Sequence, residues 1–484
     1  MEFAFLSLTE IKEKITSGET TSKEVYEYFL KQIEKNDEHI MAFHHINSDI
    51  KEFDSDSLLA GMPLAVKDIF CETGVPTTCA SNMLKNFVPP YDATIIENLK
   101  QAGMTSIGKV SMDEYAMGST SESSALKIPV NPWGIGRIPG GSSGGSAAVV
   151  AAGMVPAALG TDTGGSIRQP ASMCGVVGFK PSYGRNSRYG VVAMASSLDC
   201  PGTLTHSVRD AGLLYDIMNG YDQREATSLP GKDQIDPKIW ETKDLKGVRI
   251  GVPKEYFEAG LDAGVREQIE QAIEQMKDLG AEVKEVSLPM TQYAIATYYI
   301  IMPAEVSTNL ARYDGIRYGH KSDAPYESMD EMLQNNRTEG FGDEAQRRCV
   351  LGSYVLSAGY YDAYYKKATQ IRTLIIEDFN KAFEEVDMIV SPVSPSVAWK
   401  MGEKMDDPVK MYLSDAYTIP GSLAGLPGIS VPCGFAESED AEKEMLPVGL
   451  QILAPQLHEE KLLEVAHVYE QARGFREEAQ EKRK

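Results

Sequence analysis

The chain opens with two segments in which apolar residues recur at helical spacing. A capping box precedes each segment, Ser7 with Glu10 and Thr21 with Glu24. Because such a box marks the first turn of a helix, the pattern predicts two helices between residues 7 and about 38. We expect them to wrap the core.

Short apolar runs then alternate with amphipathic stretches along most of the chain. The predicted strands are residues 63–70, 105–107, 248–253, 281–288 and 388–391, and the predicted helices are residues 94–102, 264–279, 290–318 and 344–383. Repeated strand, helix and strand units are typical of α/β folds. We therefore predict one large α/β/α layered fold with a mixed central sheet covered by helices.

A stretch rich in glycine and serine, from Arg137 to Pro170, interrupts this pattern. It places Ser142 and Ser166 on either side of an apolar run of small residues, with six glycines within a few positions of the two serines. Glycine is used where the backbone needs positive φ or must approach another group closely. A flexible linker would not continue directly into a run suited to a packed helix and strand. The stretch therefore predicts two tight loops that present hydroxyl groups.

Two other interpretations of these loops are weaker. Neither loop has the Gly-Lys-Ser/Thr ending of a phosphate loop. Residues 141–145 fit the G-x-S-x-G nucleophile elbow, but that motif needs a histidine, and none of the seven histidines lies between Lys67 and Ser166. A lysine can act as the base if burial lowers its pKa. Lys67 ends an apolar predicted strand, where α/β sheets keep their active sites, and is the candidate.

These residues carry a resemblance to a known family. Lys67, the run Gly-Gly-Ser-Ser-Gly-Gly-Ser at 140–146 and the run Gly-Gly-Ser-Ile-Arg-Gln-Pro at 164–170 resemble the signature of the amidase-signature hydrolases. The resemblance extends over nearly the whole chain, with further matching strings at 309–319, 359–364 and 423–432. It implies one amidase-signature domain over residues 1–484. Within it we expect an N-terminal helical wrap (1–60), a signature core (61–210) and a remaining sheet with substrate-specific helices (245–484).

The resemblance also implies a Ser-Ser-Lys triad of Ser166, Ser142 and Lys67. In this arrangement Ser166 is the nucleophile, and Ser142 bridges it to neutral Lys67 through a non-proline cis peptide. The backbone N–H groups of Thr163, Gly164 and Gly165 would form the oxyanion hole.

Three further positions resemble those that hold the amino-acid head of glutamine in this family. They are Tyr299, Arg348 and Asp415. An α-carboxylate suits a bidentate arginine and an α-ammonium suits an aspartate. For each residue a purely structural role stays open: Tyr299 as core, Arg348 as part of a helix-surface pair with Arg347, and Asp415 as a helix-start residue.

The family likeness is strongest to the glutamine-hydrolysing components of tRNA-dependent amidotransferases, and a stand-alone amidase for small amides is the alternative. The amidotransferase interpretation implies ammonia transfer to a B subunit that activates mischarged Glu-tRNA or Asp-tRNA with ATP and Mg²⁺, plus a small C subunit. This chain has no ATP or metal motif, so we expect no cofactor in it. Its net charge of −23 argues against direct binding of nucleic acid, and tRNA would bind through the B subunit.

The remaining sequence features predict a cytoplasmic protein. The six cysteines form no Cys-x-x-Cys pair and no cluster with histidine, which predicts neither a zinc site nor a disulfide framework. The N-terminus lacks a basic start and a long apolar run, and no stretch is apolar over the roughly 18 residues that a membrane span needs.

The chain departs from the family pattern in two places. Residues 118–125 read Gly-Ser-Thr-Ser-Glu-Ser-Ser-Ala where Gly-Ser-Ser-Thr-Glu-Asn-Ser-Ala is usual, which puts the pocket contacts there in doubt. Cys200 and His206 stand where a glutamine and an arginine are more usual.

Overall fold

The structure is a computed structural model that describes residues 2–48, 57–232, 234–257, 260–404 and 408–483, with the side chains of 408–410 excepted. The strands in these ranges are β1 (Phe43–Ile46), β2 (Pro63–Lys67), β3 (Thr105–Val110), β4 (Ala157–Asp162), β5 (Val177–Lys180), β6 (Cys200–Thr205), β7 (Arg249–Pro253), β8 (Glu282–Val286), β9 (Met388–Pro392), β10 (Gly428–Glu437) and β11 (Met445–Leu453). They form one 11-stranded sheet in the order β1-β3-β2-β4-β6-β5-β10-β11-β9-β7-β8.

Helices cover this sheet. They are α1 (Leu8–Thr16), α2 (Ser22–Ile40), α3 (Thr94–Gln101), α4 (Gly144–Ala151), α5 (Arg168–Cys174), α6 (Val208–Met218), α7 (Ala263–Asp278), α8 (Ala294–Leu310), α9 (Met329–Gly340), α10 (Asp343–Leu356), α11 (Lys367–Phe383), α12 (Pro408–Leu413), α13 (Ile419–Leu423), α14 (Glu459–Arg473) and α15 (Phe475–Lys482). Both predicted capping boxes are present, at α1 and α2. The sheet is mixed, since β2 runs parallel to β3 and β4 whereas β4 runs antiparallel to β6. The predicted α/β fold with a mixed sheet is confirmed.

The pairing of β2 with β4 sets the position of the loops rich in glycine and serine. Leu64, Ala65 and Val66 pair in parallel with residues 157–159. The carboxyl ends of the two strands therefore meet at one edge of the sheet, with Lys67 at the end of one and Asp162 at the end of the other. Helix α4 is buried along its whole length and leads from the Ser142 loop into β4. A Cβ added to Gly145 in this helix would lie 2.3 Å from the backbone oxygen of Ser111, so only glycine fits there.

Four predicted segments differ from the structure. The strand predicted over 63–70 ends at Lys67, and the helix predicted over 344–383 is divided into α10 and α11. Residues 311–318, predicted as helix, follow the end of α8 and form turns. The reason is local: Asp314 Oδ1 accepts hydrogen bonds from the backbone N–H groups of Ile316 and Arg317, and Gly315 has φ +72°. The region 1–60, predicted as a helical wrap, also contains β1, which pairs with β3 at the edge of the sheet. Residues 49–56 of that region lie outside the described residues.

None of the helices in the described ranges combines the length and the apolar character that a membrane crossing requires. The same ranges contain no group of three or more His, Cys, Asp or Glu side chains that could hold a metal ion.

Candidate active site

Lys67 is the centre of the candidate site. Its side chain has no exposed surface, and Nζ lies 2.8 Å from Ser142 Oγ, 2.9 Å from Ser143 Oγ and 2.8 Å from Thr161 Oγ1. Burial lowers the pKa of Lys67 to about 7, although Asp113, Asp162 and Asp199 act in the opposite direction. A substantial fraction of the lysine is therefore neutral at pH 7 and can accept a proton.

The hydrogen bonds limit which hydroxyl groups can give a proton to Lys67. A neutral amine has two N–H donors and one lone pair, and it faces three hydroxyl groups. Ser143 Oγ donates to the backbone oxygen of Thr161 at 3.2 Å, so it serves Lys67 as an acceptor. Ser142 Oγ has Lys67 as its one hydrogen-bond partner within the described residues. This arrangement leaves Ser142, and equally Thr161, able to donate to the lysine lone pair.

The backbone around Ser142 is held from several directions. The Gly141–Ser142 peptide bond is cis. The Gly141 N–H donates to Gln169 Oε1 at 2.9 Å, and the Asp113 N–H donates to the backbone oxygen of Ser142 at 3.3 Å. The loop that carries Ser142 is thus fixed by side chains and backbone outside it.

Ser166 lies on the turn between β4 and α5. Its backbone oxygen accepts a hydrogen bond from the Ser143 N–H at 3.1 Å, which joins the two serine loops. It is 8% exposed, whereas Lys67, Ser142 and Ser143 are 0% exposed, so Ser166 is the one of the four that a substrate can reach. Its hydroxyl makes no hydrogen bond within the described part of the chain, and the proposed relay from Ser166 to Ser142 stays a prediction.

The turn before Ser166 presents backbone donors. In the described structure, the N–H groups of Gly164, Gly165 and Ser166 have no protein acceptor. The backbone is fixed by Thr418, whose hydroxyl donates to the Gly164 oxygen at 2.6 Å, and by Thr163, whose hydroxyl donates to Asp199 at 2.8 Å. Gly165 has φ +149°, and a Cβ there would lie 2.2 Å from Thr418 Oγ1. These donors can stabilise an oxyanion that forms next to Ser166.

Arg348 and Tyr299 lie together in the helical part of the molecule. Arg348 is 3% exposed, and its guanidinium carbon lies 4.9 Å from the centre of the Tyr299 ring and 5.0 Å from that of the Tyr412 ring. The two rings stack at 3.8 Å. Glu344 accepts from the Arg348 guanidinium at 2.6 Å. Arg348 is therefore a buried, paired cation and not half of an exposed pair with Arg347.

Asp415 lies next to the turn that precedes Ser166. It is 7% exposed and accepts a hydrogen bond from Ser119 Oγ at 2.5 Å. Its backbone oxygen accepts from Thr418 at 3.2 Å, the same residue that contacts Gly164. Burial raises the pKa of Asp415 to about 7, against the effects of Ser119 and Arg348. The structure thus brings a carboxylate and a buried cation to the side of the site formed by the helices.

Several residues of the site are not predicted by the sequence patterns. Ser143 and Thr161 contact Lys67 directly, and the Tyr298 ring packs against Gly164, where a Cβ would lie 2.8 Å from its Cζ. Glu344 could have been found, because it precedes Arg348 by four residues, the spacing of a helical ion pair. Ser119 lies in the 118–125 segment that the family pattern already places at the pocket, but its contact with Asp415 could not have been predicted, because 296 residues separate the two.

The two departures from the family pattern differ in their relation to the candidate site. The 118–125 segment belongs to the site: Ser119 contacts Asp415, and Ser121 Oγ donates to the Gly140 oxygen at 2.9 Å. Cys200 is buried beside the Pro181 oxygen, with Sγ 3.2 Å from it. His206 lies near Phe5, with 6.0 Å between the ring centres.

A buried lysine held by hydroxyls from two loops rich in glycine and serine, at the edge of a mixed sheet, defines a class of serine hydrolase with a lysine base. A family model described as Amidase matches residues 24–463. The chain belongs to this family, that of the amidase-signature enzymes.

Particular relatives are similar over nearly the full length. The A subunit of the glutamyl-tRNA(Gln) amidotransferase of Methylobacillus flagellatus is 50% identical over 476 residues, which cover 96% of each chain. That of Thermoanaerobacter pseudethanolicus is 48% identical over 486 residues, which cover 98% of each. The crystal structure of the corresponding A subunit from Thermotoga maritima has a TM-score of 0.82 at 40% identity, covering 97% of this chain and 95% of that one.

Proposed function

We propose that this chain is the glutamine-hydrolysing component of a tRNA-dependent amidotransferase. The observation that carries the proposal is the pair of buried charged side chains, Arg348 and Asp415, on the helical side of a lysine-serine amide-hydrolysing site. A carboxylate and a guanidinium suit the α-ammonium and the α-carboxylate of free glutamine. The names of the full-length relatives support the same assignment.

The proposed reaction begins at the glutamine side-chain amide. Ser166 Oγ attacks the amide carbon while its proton passes to Ser142, whose own proton passes to the lone pair of Lys67. The N–H groups of the turn that contains Gly164 and Gly165 stabilise the oxyanion. Collapse of the tetrahedral intermediate returns a proton to the leaving nitrogen and releases ammonia. Water then hydrolyses the acyl-serine to glutamate and regenerates the hydroxyl.

The ammonia is proposed to serve a partner and not to be the final product. In this scheme a B subunit, with ATP and Mg²⁺, activates Glu-tRNA(Gln), or Asp-tRNA(Asn), and uses the ammonia to form Gln-tRNA(Gln) or Asn-tRNA(Asn). A small C subunit completes a cytoplasmic heterotrimer. The net charge of −23 of this chain makes it a poor binder of tRNA by itself, which leaves tRNA recognition to the B subunit.

Co-purification with the untagged neighbouring subunits, followed by a glutaminase assay with and without them, tests the proposal. We expect a stable complex, tRNA-dependent formation of the amidated product in the presence of ATP, and a preference of the wild type for glutamine over propionamide. Equal turnover of glutamine and propionamide, unaffected by any partner, would instead support the stand-alone amidase.

A further inference from the structure

A cavity of about 380 Å³ lies between the N-terminal segment and the last two helices. Its walls include Phe5, Trp240 and His467, and none of the residues proposed for catalysis lines it. Helices α4 and α5 begin next to the serine loops and lead to the cavity wall at Ala151 and Gly175. With a rise of about 1.5 Å per residue, these helices separate the cavity from the loops by about 10–12 Å. The cavity is therefore distinct from the candidate active site.

Four polar atoms of the cavity wall have no hydrogen-bond partner among the described residues. They are His206 Nε2, His467 Nδ1, Glu470 Oε2 and Arg483 Nε. His467 is 8% exposed, and its Nδ1 lies 3.8 Å from Glu470 Oε2, beyond hydrogen-bond distance. Buried polar atoms in folded proteins nearly always have a partner. Four such atoms around one cavity indicate that a partner comes from outside the chain.

Two of the four unpartnered atoms belong to charged groups, the guanidinium of Arg483 and the carboxylate of Glu470. Arg483 stacks over the rings of Phe5 and Trp133, with distances of 4.7 and 4.2 Å to the ring centres. Burial lowers the pKa of Arg483 to about 10, so it stays protonated near neutral pH. Glu470 Oε1 accepts from the Val208 N–H at 2.9 Å, which leaves Oε2 for another donor.

The neighbouring charged pair is already complete. Glu10 and Arg476 form two hydrogen bonds of 2.8 Å with each other. Burial lowers the pKa of His206 to about 3, so its ring is neutral at pH 7. Arg209 and Glu477 also line the cavity, but both are exposed. Among the described residues, the charged groups of the wall that have a buried atom without a partner are thus Arg483 and Glu470.

These two groups narrow the class of ligand. A simple anion would be attracted by Arg483 but repelled by Glu470. A simple cation would be attracted by Glu470 but repelled by Arg483. A zwitterion satisfies both, and the volume lies within the range of small-molecule pockets. We propose that the cavity binds a free α-amino acid, with its carboxylate on Arg483 and its ammonium group on Glu470. The site does not depend on the proposed glutaminase reaction.

Titration calorimetry and crystals soaked with L-glutamate or L-alanine test this site in the full-length chain. The Arg348→Ala background is used so that binding at the candidate active site is weakened. We expect one amino acid in the cavity, and we expect sodium acetate and ethylammonium chloride at equal concentration to bind at least tenfold more weakly. Glu470→Gln keeps the bond from Val208 and should weaken binding about tenfold or more, as should Arg483→Gln.

Glu481→Gln is the matched control, because Glu481 is exposed on the same terminal segment as Arg483 and does not line the cavity. It should bind the amino acid like its parent, and thermal unfolding of each variant separates lost binding from lost fold. The proposal would be overturned if the soaked cavity contained ordered water and no amino acid, or if acetate bound as tightly as the amino acid. A failure of the glutaminase assay would leave this titration unchanged.

Discussion

Two regions of the molecule contribute to the candidate site in different ways. The catalytic loops, residues 140–145 and 161–166, are buried at every position. The helical region, residues 289–415, contains exposed aromatic side chains, and its adjacent residues differ sharply in exposure. Arg348 has 3% of its side chain exposed, whereas Arg347 has 50%.

The difference between the two regions suggests separate contributions to the rate and to the substrate specificity of amide hydrolysis. In the catalytic loops a glycine such as Gly145 or Gly165 leaves no room for any other side chain, so one backbone arrangement holds the reacting groups. In the helical region, side chains such as Arg348 are buried on helices whose other faces are exposed. We infer that the loops set the chemistry of amide hydrolysis and that the helices decide which amide is hydrolysed.

Substitution of the lysine should have the largest effect. Lys67→Ala removes the proposed proton acceptor for every substrate, and Ser166→Ala removes the proposed nucleophile. We expect kcat to fall by about 10⁴-fold or more in each variant, as for members of one catalytic unit. Initial rates with glutamine and with propionamide measure the loss, which should affect both substrates.

Ser146→Ala is the matched control for the loops. Ser146 is buried on α4 and donates to the Leu159 oxygen at 2.8 Å, but it does not contact Lys67. It should keep kcat within a few-fold of the wild type. A Lys67→Ala variant that retained near-normal glutaminase activity would show that the lysine is not the base.

Substitution of the buried arginine should have the next largest effect and should act on specificity. Arg348→Ala removes the proposed partner of the α-carboxylate and should lower kcat/KM for glutamine by about 10³-fold. Propionamide has no α-carboxylate, so its slow turnover should change little. The ratio of kcat/KM for the two amides measures the effect.

Arg347 offers a control of the same residue type on the same helix. Arg347→Ala should leave the ratio within about twofold of the wild type, because its side chain is half exposed and pairs with Glu344 at the surface. If both arginine variants reduced glutamine hydrolysis equally, the carboxylate would not be bound by Arg348 in particular.

The division between the two regions also explains what the sequence could predict. The catalytic loops are contiguous, and their glycines and serines indicate tight turns by local rules alone. Lys67 was found because it ends a short apolar strand. Its neighbours Ser143 and Thr161 were not, since their contact with Lys67 depends on how β2 pairs with β4.

Long-range contacts limited prediction in the helical region and at the centre of the sheet. Asp415 reaches the site because the chain returns through α12 and α13, and its partner Ser119 lies in another part of the sequence. Strands β10 and β11 pair antiparallel between β5 and β9. Their place in the sheet is decided by packing against residues far away in the chain, which no local pattern encodes.

The pH dependence should also distinguish the two regions. Lys67 must be neutral to accept a proton and Asp415 must be charged to hold an ammonium group, and the pKa of each is about 7. Both groups become protonated as the pH falls. In a plot of log(kcat/KM) for glutamine against pH, the slope below pH 7 should therefore approach two. For propionamide, only Lys67 matters and the slope should approach one.

Asp415→Asn tests whether Asp415 is the second group, besides Lys67, whose protonation lowers kcat/KM for glutamine below pH 7. The variant should lower kcat/KM for glutamine by about 10–100-fold at pH 8, since a charged hydrogen-bond partner is lost. Its profile below pH 7 should then follow a slope of one for glutamine as well. A slope that stays near two in the variant would assign the second proton to another group.

The smallest effect we expect comes from one hydroxyl group in the helical region. Tyr412 OH donates to Glu344 Oε1 at 3.1 Å, and Glu344 in turn holds Arg348. Tyr412→Phe keeps the ring that stacks on Tyr299 and removes only this hydrogen bond, which contributes about 0.5–1.5 kcal/mol. Because the hydroxyl acts through Glu344 on substrate binding and not on the catalytic loops, KM for glutamine should rise about two- to tenfold while kcat stays unchanged. Steady-state kinetics with glutamine and propionamide measure this separation, and Tyr412→Leu, which also loses the stacked ring, should raise KM further. A fall in kcat for both amides would mean that the helical region also shapes the catalytic loops, and the division between rate and specificity would not hold.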